Sequence, residues 1–363
     1  MDSETEREAA LKRLLVETGF ERAERIALPM DASTRRYERL VLPKRTAILM
    51  DAPPRSEGGP CPPGASRGQR LEMGWNAISR LAASRVEAFA AVAQQLSAWG
   101  LSAPQIHGVD VAAGYAVLED LGEDLYARVI ETGADEVALY AAAAEVLARV
   151  HAAPIPERLA WPGGEWPILE YDGLALEANM DLFYEWAPRA EGIHIPDAYR
   201  ARWERARDAL IAETASFPRA FTIRDYHAEN LLWMPQRAGL RRVGLLDFQD
   251  AVRGWRAWDF AMLLHDARRD VSHEASEAAI RAYLEATGAT DAAFRRELAV
   301  LGVINALRIV GIFHRLVYRD GKPKYLAFLP REWAHLSRAL QHPSVGEMAD
   351  FVDEVAGRYV RAA

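Results

Sequence analysis

Residues 224–230 read Arg-Asp-Tyr-His-Ala-Glu-Asn, and an apolar run from Val243 to Leu246 ends at Asp247, seventeen positions after the Asn. Asp225, Asn230 and Asp247 together offer one carboxylate to orient a hydroxyl, plus an amide oxygen and a second carboxylate to hold magnesium. Phosphoryl transfer from ATP depends on such positioning and charge neutralisation more than on covalent chemistry. A few oxygen ligands suit Mg²⁺, a hard cation that keeps several of its waters. Asp225 is therefore the candidate base, aligning the acceptor oxygen and then taking its proton. Asn230 and Asp247 are the candidate metal ligands, and the apolar run before Asp247 reads as a buried strand that would hold it rigidly. His227 reads as a support of the loop, and Glu229 as either a substrate contact or a solvated side chain. Asp250 reads as an outer support of the metal site or a helix cap. Asp259 reads as a structural carboxylate favoured by a helix N-terminus.

The elements that must position these residues follow from periodicity. Residues 5–18 carry apolar positions at helical spacing. Residues 25–29, 36–42 and 46–50 read as strands of a meander, with Asp31 to Thr34 between the first two and Pro43-Lys44 as a turn. Residues 52–68 are so dense in Pro and Gly that a mobile loop is expected there. A helix over 85–99 stops at Gly100, and strands follow over 105–109 and 115–119. After residue 120 the stretches 126–151, 174–186 and 197–215 are helical, interrupted only by short strands in the 220s to 240s, and the remainder from Trp258 is helical again. The fold class is therefore α+β: a small N-terminal lobe of antiparallel strands, then a larger, mostly helical lobe. The expected organisation is residues 1–118 as a nucleotide-binding lobe, 119–122 as a hinge, and 123–363 as the lobe with catalytic loop, metal site and acceptor site.

Ser33 and Thr34 offer backbone and hydroxyl donors to phosphate, with Arg35 or Arg36 adding charge. The connector Glu119 to Leu121 is an extended segment whose backbone can hydrogen-bond an adenine edge. At 363 residues and 50% hydrophobic content the chain can bury a large core. A net charge of -8 argues against a nucleic-acid partner. The single cysteine, Cys61, excludes an internal disulfide framework and a cysteine-built zinc site. The N-terminus has no apolar leader and no run reads as a membrane span, so a cytoplasmic monomer without membrane contact is expected.

Taken together, these motifs resemble the aminoglycoside phosphotransferase and choline kinase superfamily, whose members have a protein-kinase-like two-lobe fold. Arg224 to Asn230 matches its catalytic loop, with Ile223 where a His is usual, and Leu245-Leu-Asp-Phe-Gln-Asp-Ala251 matches its metal motif. Asp31-Ala-Ser-Thr-Arg-Arg-Tyr37, Ile48 to Pro54, Leu118-Glu-Asp-Leu-Gly122, Asp266-Ala-Arg-Arg269 and Gly311 to Leu316 extend the match over most of the chain. Within the superfamily the chain is most similar to the bacterial anomeric kinases of N-acetylmuramate and N-acetylglucosamine, which serve cell-wall sugar recycling. The resemblance implies Asp225 as base, Asn230 and Asp247 as magnesium ligands, and backbone contacts to adenine at Glu119 and Leu121. One departure stands out. The third strand ends in Met50, where the superfamily carries a phosphate-gripping Lys, leaving Lys44, Arg35, Arg36 or the backbone and metal alone to take that part. Glu87 is the matching candidate for the helix Glu that pairs with such a Lys.

Charge bears on the acceptor. Residues 301–331 carry Arg308, Arg315, Arg319, Lys322, Lys324 and Arg331 against the acids Asp320 alone, which would repel a polyamine and favour a sugar with a carboxylate. Arg308 and Arg315, seven apart on one helical face, are the candidate carboxylate contacts. A solvated basic face is the plainer alternative. The expected function is an ATP- and Mg²⁺-dependent kinase of an N-acetylated amino sugar. The alternatives are a kinase of another small alcohol, such as an aminoglycoside or amino alcohol, and a catalytically silent nucleotide-binding protein.

Overall fold

The computed structural model describes residues 3–29, 35–54, 59–82 and 85–362. Asp31 to Thr34, including the candidate phosphate donors Ser33 and Thr34, lie outside the described residues, as do residues 55–58 of the Pro/Gly stretch. By packing, the chain forms two units that cross the compositional boundary near residue 120. One comprises residues 1–134, 155–169 and 228–252; the other comprises 135–154, 170–227 and 253–363.

The first unit is built on helix α1 (Ser3–Glu17) and five strands: β1 (Glu24–Ala27), β2 (Arg36–Leu42), β3 (Arg45–Asp51), β4 (Ile106–Asp110) and β5 (Tyr115–Glu119). They pair antiparallel in the order β1-β2-β3-β5-β4. Side chains alternate across the pleat, so Leu40, Ala47, Leu49, Tyr115 and Val117 point to one face, where they pack with Leu11, Leu14 and Leu15 of α1. Met50, Ala116 and Leu118 fill the other face. The expected strands at 36–42 and 115–119 match β2 and β5, and the others differ by a residue or two at their ends.

Part of the Pro/Gly stretch is packed: Cys61 is buried, and its N–H donates to the Leu81 carbonyl. A short helix α2 (Arg67–Met73) follows, started by a reciprocal cap between Ser66 and Gln69. Helix α3 (Val86–Ala98) ends just before Gly100, as expected. Helix α4 (Tyr126–Glu131), the hairpin β6 (Arg158–Trp161) and β7 (Gly164–Pro167), and strands β9 (Leu231–Trp233) and β10 (Val243–Leu245) complete this unit. The hairpin falls between the expected helical stretches 126–151 and 174–186, where no strand is expected from the sequence. At its turn, Pro162-Gly163, the Trp161 ring lies over Gly163, where a Cβ would stand 2.0 Å from the ring and displace it.

The second unit contains α5 (Glu136–His151), α6 (Gly173–Trp186), α7 (Arg200–Thr214), the strand pair β8 (Arg219–Thr222) and β11 (Val252–Trp255), and α8 (Arg256–Leu264). It ends with α9 (His273–Thr287), α10 (Asp291–Tyr318), α11 (Leu329–Ala339) and α12 (Gly346–Ala362). The helical stretch expected over 126–151 is divided into α4 and α5 at Thr132-Gly133-Ala134. Helix α10 corrects one expectation: at 28 residues it is long and apolar enough, by length and composition, to cross a membrane. Of its most apolar stretch, 67% is buried inside the protein. Gly311 lets α10 press against α6, since a Cβ there would lie 2.4 Å from the Leu182 carbonyl carbon.

Candidate active site

In the first unit, the β9–β10 pairing brings the two candidate metal ligands together. Leu231 stands opposite Leu245, so Asn230 and Leu246, one step beyond each, are neighbours. The Leu246 N–H donates to the Asn230 carbonyl at 2.9 Å. Asp247 then leaves the strand with φ at +54°, a left-handed conformation that costs a non-glycine residue roughly 1–2 kcal/mol. Such strain is kept where the surroundings enforce it, often at functional sites. Phe248, beside it, is buried and packs on Phe89 of α3 with ring centroids 4.7 Å apart, which fixes the turn that aims Asp247.

Asp247 Oδ1 accepts from Arg35 Nη2 at 2.6 Å and from Gln249 Nε2 at 2.9 Å. Arg35 is buried, whereas the Asp247 side chain remains 34% exposed. Burial opposes the Arg35 charge, but Asp247, Tyr37 and Asp250 together outweigh it and raise its pKa. Asp250 is buried too, with Arg80 Nη2 3.8 Å from its Oδ2. Of the cations weighed against the missing third-strand Lys, Arg36 is exposed. Lys44 is exposed in the β2–β3 turn, at the end of the hairpin remote from Arg35. Only Arg35 of these three is brought to Asp247. The Glu87 carboxylate accepts instead from Arg85 Nε at 3.1 Å.

One carboxylate and one amide, on two segments joined by a hydrogen bond, fit a hydrated magnesium ion that takes its remaining ligands from phosphate and water. No group of three or more His, Cys, Asp or Glu side chains suited to a metal occurs among the described residues. At the connector, Glu119 Oε1 accepts from Arg237 Nη2 at 2.6 Å, and the Glu119 N–H donates to the Gln105 carbonyl. The Glu119 side chain is thus engaged within the protein, and Leu121 is half-buried. Glu229 lies half-buried in the short turn Ala228–Asn230.

In the second unit, Asp225 is held from both sides. Ahead of it, the N–H groups of Ile223 and Arg224 donate to Asp259 Oδ2 and Oδ1 at 2.8 and 2.7 Å. Asp259 is fully buried in the first turn of α8 and also meets His151 Nε2 at 3.2 Å. After it, the Tyr226 hydroxyl donates to the Ala143 carbonyl of α5 at 2.9 Å. Arg224 has φ at +80° and lies 4.5 Å over the Tyr171 ring. Asp225 itself is half-buried, so its carboxylate stands at the edge of a fixed loop.

Arg308 of α10 belongs to the same electrostatic group as Asp225, Arg224 and Tyr171. Its Nε and Nη2 donate to Asn305 Oδ1 at 3.1 and 2.9 Å, and it lies 5.6 Å over the Trp258 ring. Burial lowers its pKa, with Tyr171 and Asp225 opposing. Glu332 of α11 is fully buried nearby in charge terms, its carboxyl pushed well above the usual range by burial and then by Asp266. Arg315, expected to act with Arg308, falls instead among Arg319, Asp320 and Glu185.

Comparison with known proteins bears on what such parts do. Residues 24–299 match the family described as "APH: Phosphotransferase enzyme family". The chain belongs to that family. It is therefore a phosphotransferase, and ATP is the donor that kinases of this kind use. A Caulobacter vibrioides protein named N-acetylmuramate/N-acetylglucosamine kinase is 49% identical over 361 residues, covering 99% of this chain and 98% of its own. A Pseudomonas aeruginosa protein of the same name is 31% identical over 340 residues, 91% of this chain and 88% of its own. Among solved structures, a choline/ethanolamine kinase family protein from Mesorhizobium loti shares the fold, with a TM-score of 0.57 at 16% identity over 98% of this chain and 99% of its own.

Sequence reasoning about this phosphotransferase missed the anchoring of Ile223 and Arg224 by Asp259. It also missed Asn305 as the brace of Arg308, and the buried Glu332. No local pattern marks them, because each acts on a residue at least one element away, except Asn305, which is three positions from Arg308 on the same helical face.

Proposed function

We propose that this phosphotransferase uses ATP and Mg²⁺ to phosphorylate the anomeric hydroxyl of N-acetylmuramate, N-acetylglucosamine or both, as a cytoplasmic monomer in cell-wall sugar recycling. The observation that carries this reading is the 49% identity, over nearly the full length of both chains, to a protein named for those two sugars. In this reading residues 1–118 serve as the nucleotide-binding lobe, 119–122 as the hinge and 123–363 as the catalytic and acceptor lobe. The backbone of Glu119 and Leu121 meets adenine, and Ser33, Thr34 and Arg35 meet phosphate.

Asn230 and Asp247 would hold the magnesium ion, which when bound neutralises charge on the transferring phosphoryl group. Asp225 aligns the sugar hydroxyl and takes its proton as the new O–P bond forms and the bond to the ADP oxygen breaks. The two backbone anchors on Asp259 and the Tyr226 tether support this part, because a base must be positioned before its basicity matters. Glu229, Arg308 and Arg315 are the proposed sugar contacts. Arg308 has the most support of the three, since a braced guanidinium in the electrostatic range of Asp225 suits the lactyl carboxylate of N-acetylmuramate. The same charge disfavours a polycationic acceptor such as an aminoglycoside.

Phosphorus NMR of the purified protein with ATP, Mg²⁺ and each sugar in turn tests the reading. A new anomeric phosphate signal is the expected result. ATP binding without product from either sugar would overturn the sugar assignment.

A further inference from the structure

Three features that phosphoryl transfer does not use meet in one place in the first unit. They are Pro60 to Pro63, from the stretch expected to be mobile, the β6–β7 hairpin, and Glu87 at the start of α3. Together they line a cavity of about 410 Å³, within the size range of small-molecule sites. The hairpin packs on α3. The bond from the Cys61 N–H to the Leu81 carbonyl ties down the proline wall. Proline also restricts its own backbone, so the cavity is preformed and little ordering is lost when it fills. None of the residues proposed for base, metal, phosphate, adenine or sugar contact lines it.

The lining chemistry is one-sided. The indoles of Trp161 and Trp166 join prolines and small apolar groups, and among the described residues the only charged side chains in the wall are the carboxylates of Glu87 and Glu165. Glu87 is largely shielded and accepts from Arg85 Nε at 3.1 Å, with Nη2 on its other oxygen. This wall therefore already holds one guanidinium against a carboxylate. Glu165 differs. Its side chain is 62% exposed, and its cation, Arg158 Nε, stands 3.9 Å away on a side chain that is itself 58% exposed. Such a pair contributes little, so the Glu165 carboxylate can turn to a ligand.

An anion entering the cavity would meet carboxylates, which is unfavourable. A neutral polyol would lay most of its hydroxyls against proline and indole without partners. A guanidinium suits both parts of the wall. It is planar and weakly hydrated, it stacks on an indole face, and its fork of N–H groups matches a carboxylate. We propose that this cavity is a binding site for a small guanidinium compound, stacked on Trp161 or Trp166 and neutralised by Glu165. The ligand is bound and not phosphorylated, so the site is separate from the acceptor reading above and stands or falls without it. A cavity left only by the packing of the hairpin on α3 would show no preference for charge.

Saturation-transfer NMR titration of the full chain at constant ionic strength separates the two, with methylguanidinium as the probe and N-methylurea as its neutral, planar counterpart. Methylguanidinium is expected to saturate with a Kd of about 10 mM or tighter, and methylurea to bind at least about tenfold more weakly. Glu165→Gln keeps the shape and removes the charge, and Trp161→Leu removes one ring. Each is expected to weaken methylguanidinium at least about fivefold. No saturation by the wild type up to about 50 mM, or equal binding of methylurea, would overturn the site. Wild-type affinity in Glu165→Gln would place the bound cation elsewhere and overturn it as well. Glu165 is exposed at the surface, so this variant decides the matter even should Trp161→Leu fail to fold.

Discussion

Asp225 carries the chemistry proposed here, and its neighbours are arranged to fix its position. Asp225→Asn keeps the shape and removes the proton acceptor. It is expected to lower kcat by about 10²- to 10⁴-fold, the range of general base catalysis, while ADP affinity stays within about twofold of wild type. Steady-state kinetics beside calorimetry check this, and near-wild-type turnover would remove Asp225 from the role. Arg308 sets a different test because only one of the two proposed sugars carries a carboxylate. Arg308→Met is expected to lower kcat/KM for N-acetylmuramate by roughly 10- to 100-fold, the worth of one hydrogen-bonded charge. The value for N-acetylglucosamine should change about threefold or less. An equal loss for both sugars would make Arg308 a support of the loop and not a reader of the acid.

At the scale of elements, α8 governs the catalytic loop. Its first turn carries Asp259, whose two oxygens each take one backbone N–H from the residues before Asp225. The carboxylate gains from the helix dipole, as the sequence suggests, but its main work is the capture of that loop. Asp259→Asn replaces one acceptor oxygen by an NH₂ that faces a donor. It is expected to cost about 1.5–3 kcal/mol of stability and, by loosening Asp225, up to roughly 10²-fold in kcat with little change in KM for ATP. Chemical denaturation and kinetics on the same preparation test it, and lost stability with unchanged kcat would show that the loop holds its shape without Asp259. The elements themselves were legible to different degrees. Strands β2 and β5 follow from apolar alternation, and α3 from helical spacing with a stop at Gly100. The β6–β7 hairpin escaped because its strands are four residues each, too short for a period to show, although Pro162-Gly163-Gly164 marks its turn.

For the molecule as a whole, pH is the informative variable. His314 and His335 are buried in the helical unit and His265 is half-buried there, and desolvation lowers their pKa values to about 4, about 4 and about 3. In the unfolded chain a histidine titrates near 6.5. Between pH 6.5 and 4 the unfolded state therefore binds protons that the folded state refuses, and stability falls as the pH falls. At pH 5 each such group contributes a loss of about 2 kcal/mol. The melting temperature is expected to be lower at pH 5 than at pH 7.5. His314→Leu should shrink the difference, since neither ring nitrogen of His314 has a hydrogen-bond partner among the described residues. A variant with the full wild-type difference would remove His314 as a source of the acid sensitivity.

The sequence by itself determined the parts that depend on neighbours in the chain: the Arg224–Asn230 loop, the apolar strand into Asp247, the alternating strands and the amphipathic helices. A motif of this kind is local, so residue types at short spacing are enough to specify its chemistry and the class of fold that carries it. The tertiary structure decided which cation meets Asp247, which carboxylate ties down the loop before Asp225, and which of Arg308 and Arg315 shares an environment with that base. Each of these joins residues far apart in the chain or selects between equals on one helix. Such choices are made by packing, burial and close-range charge, which a linear pattern does not contain.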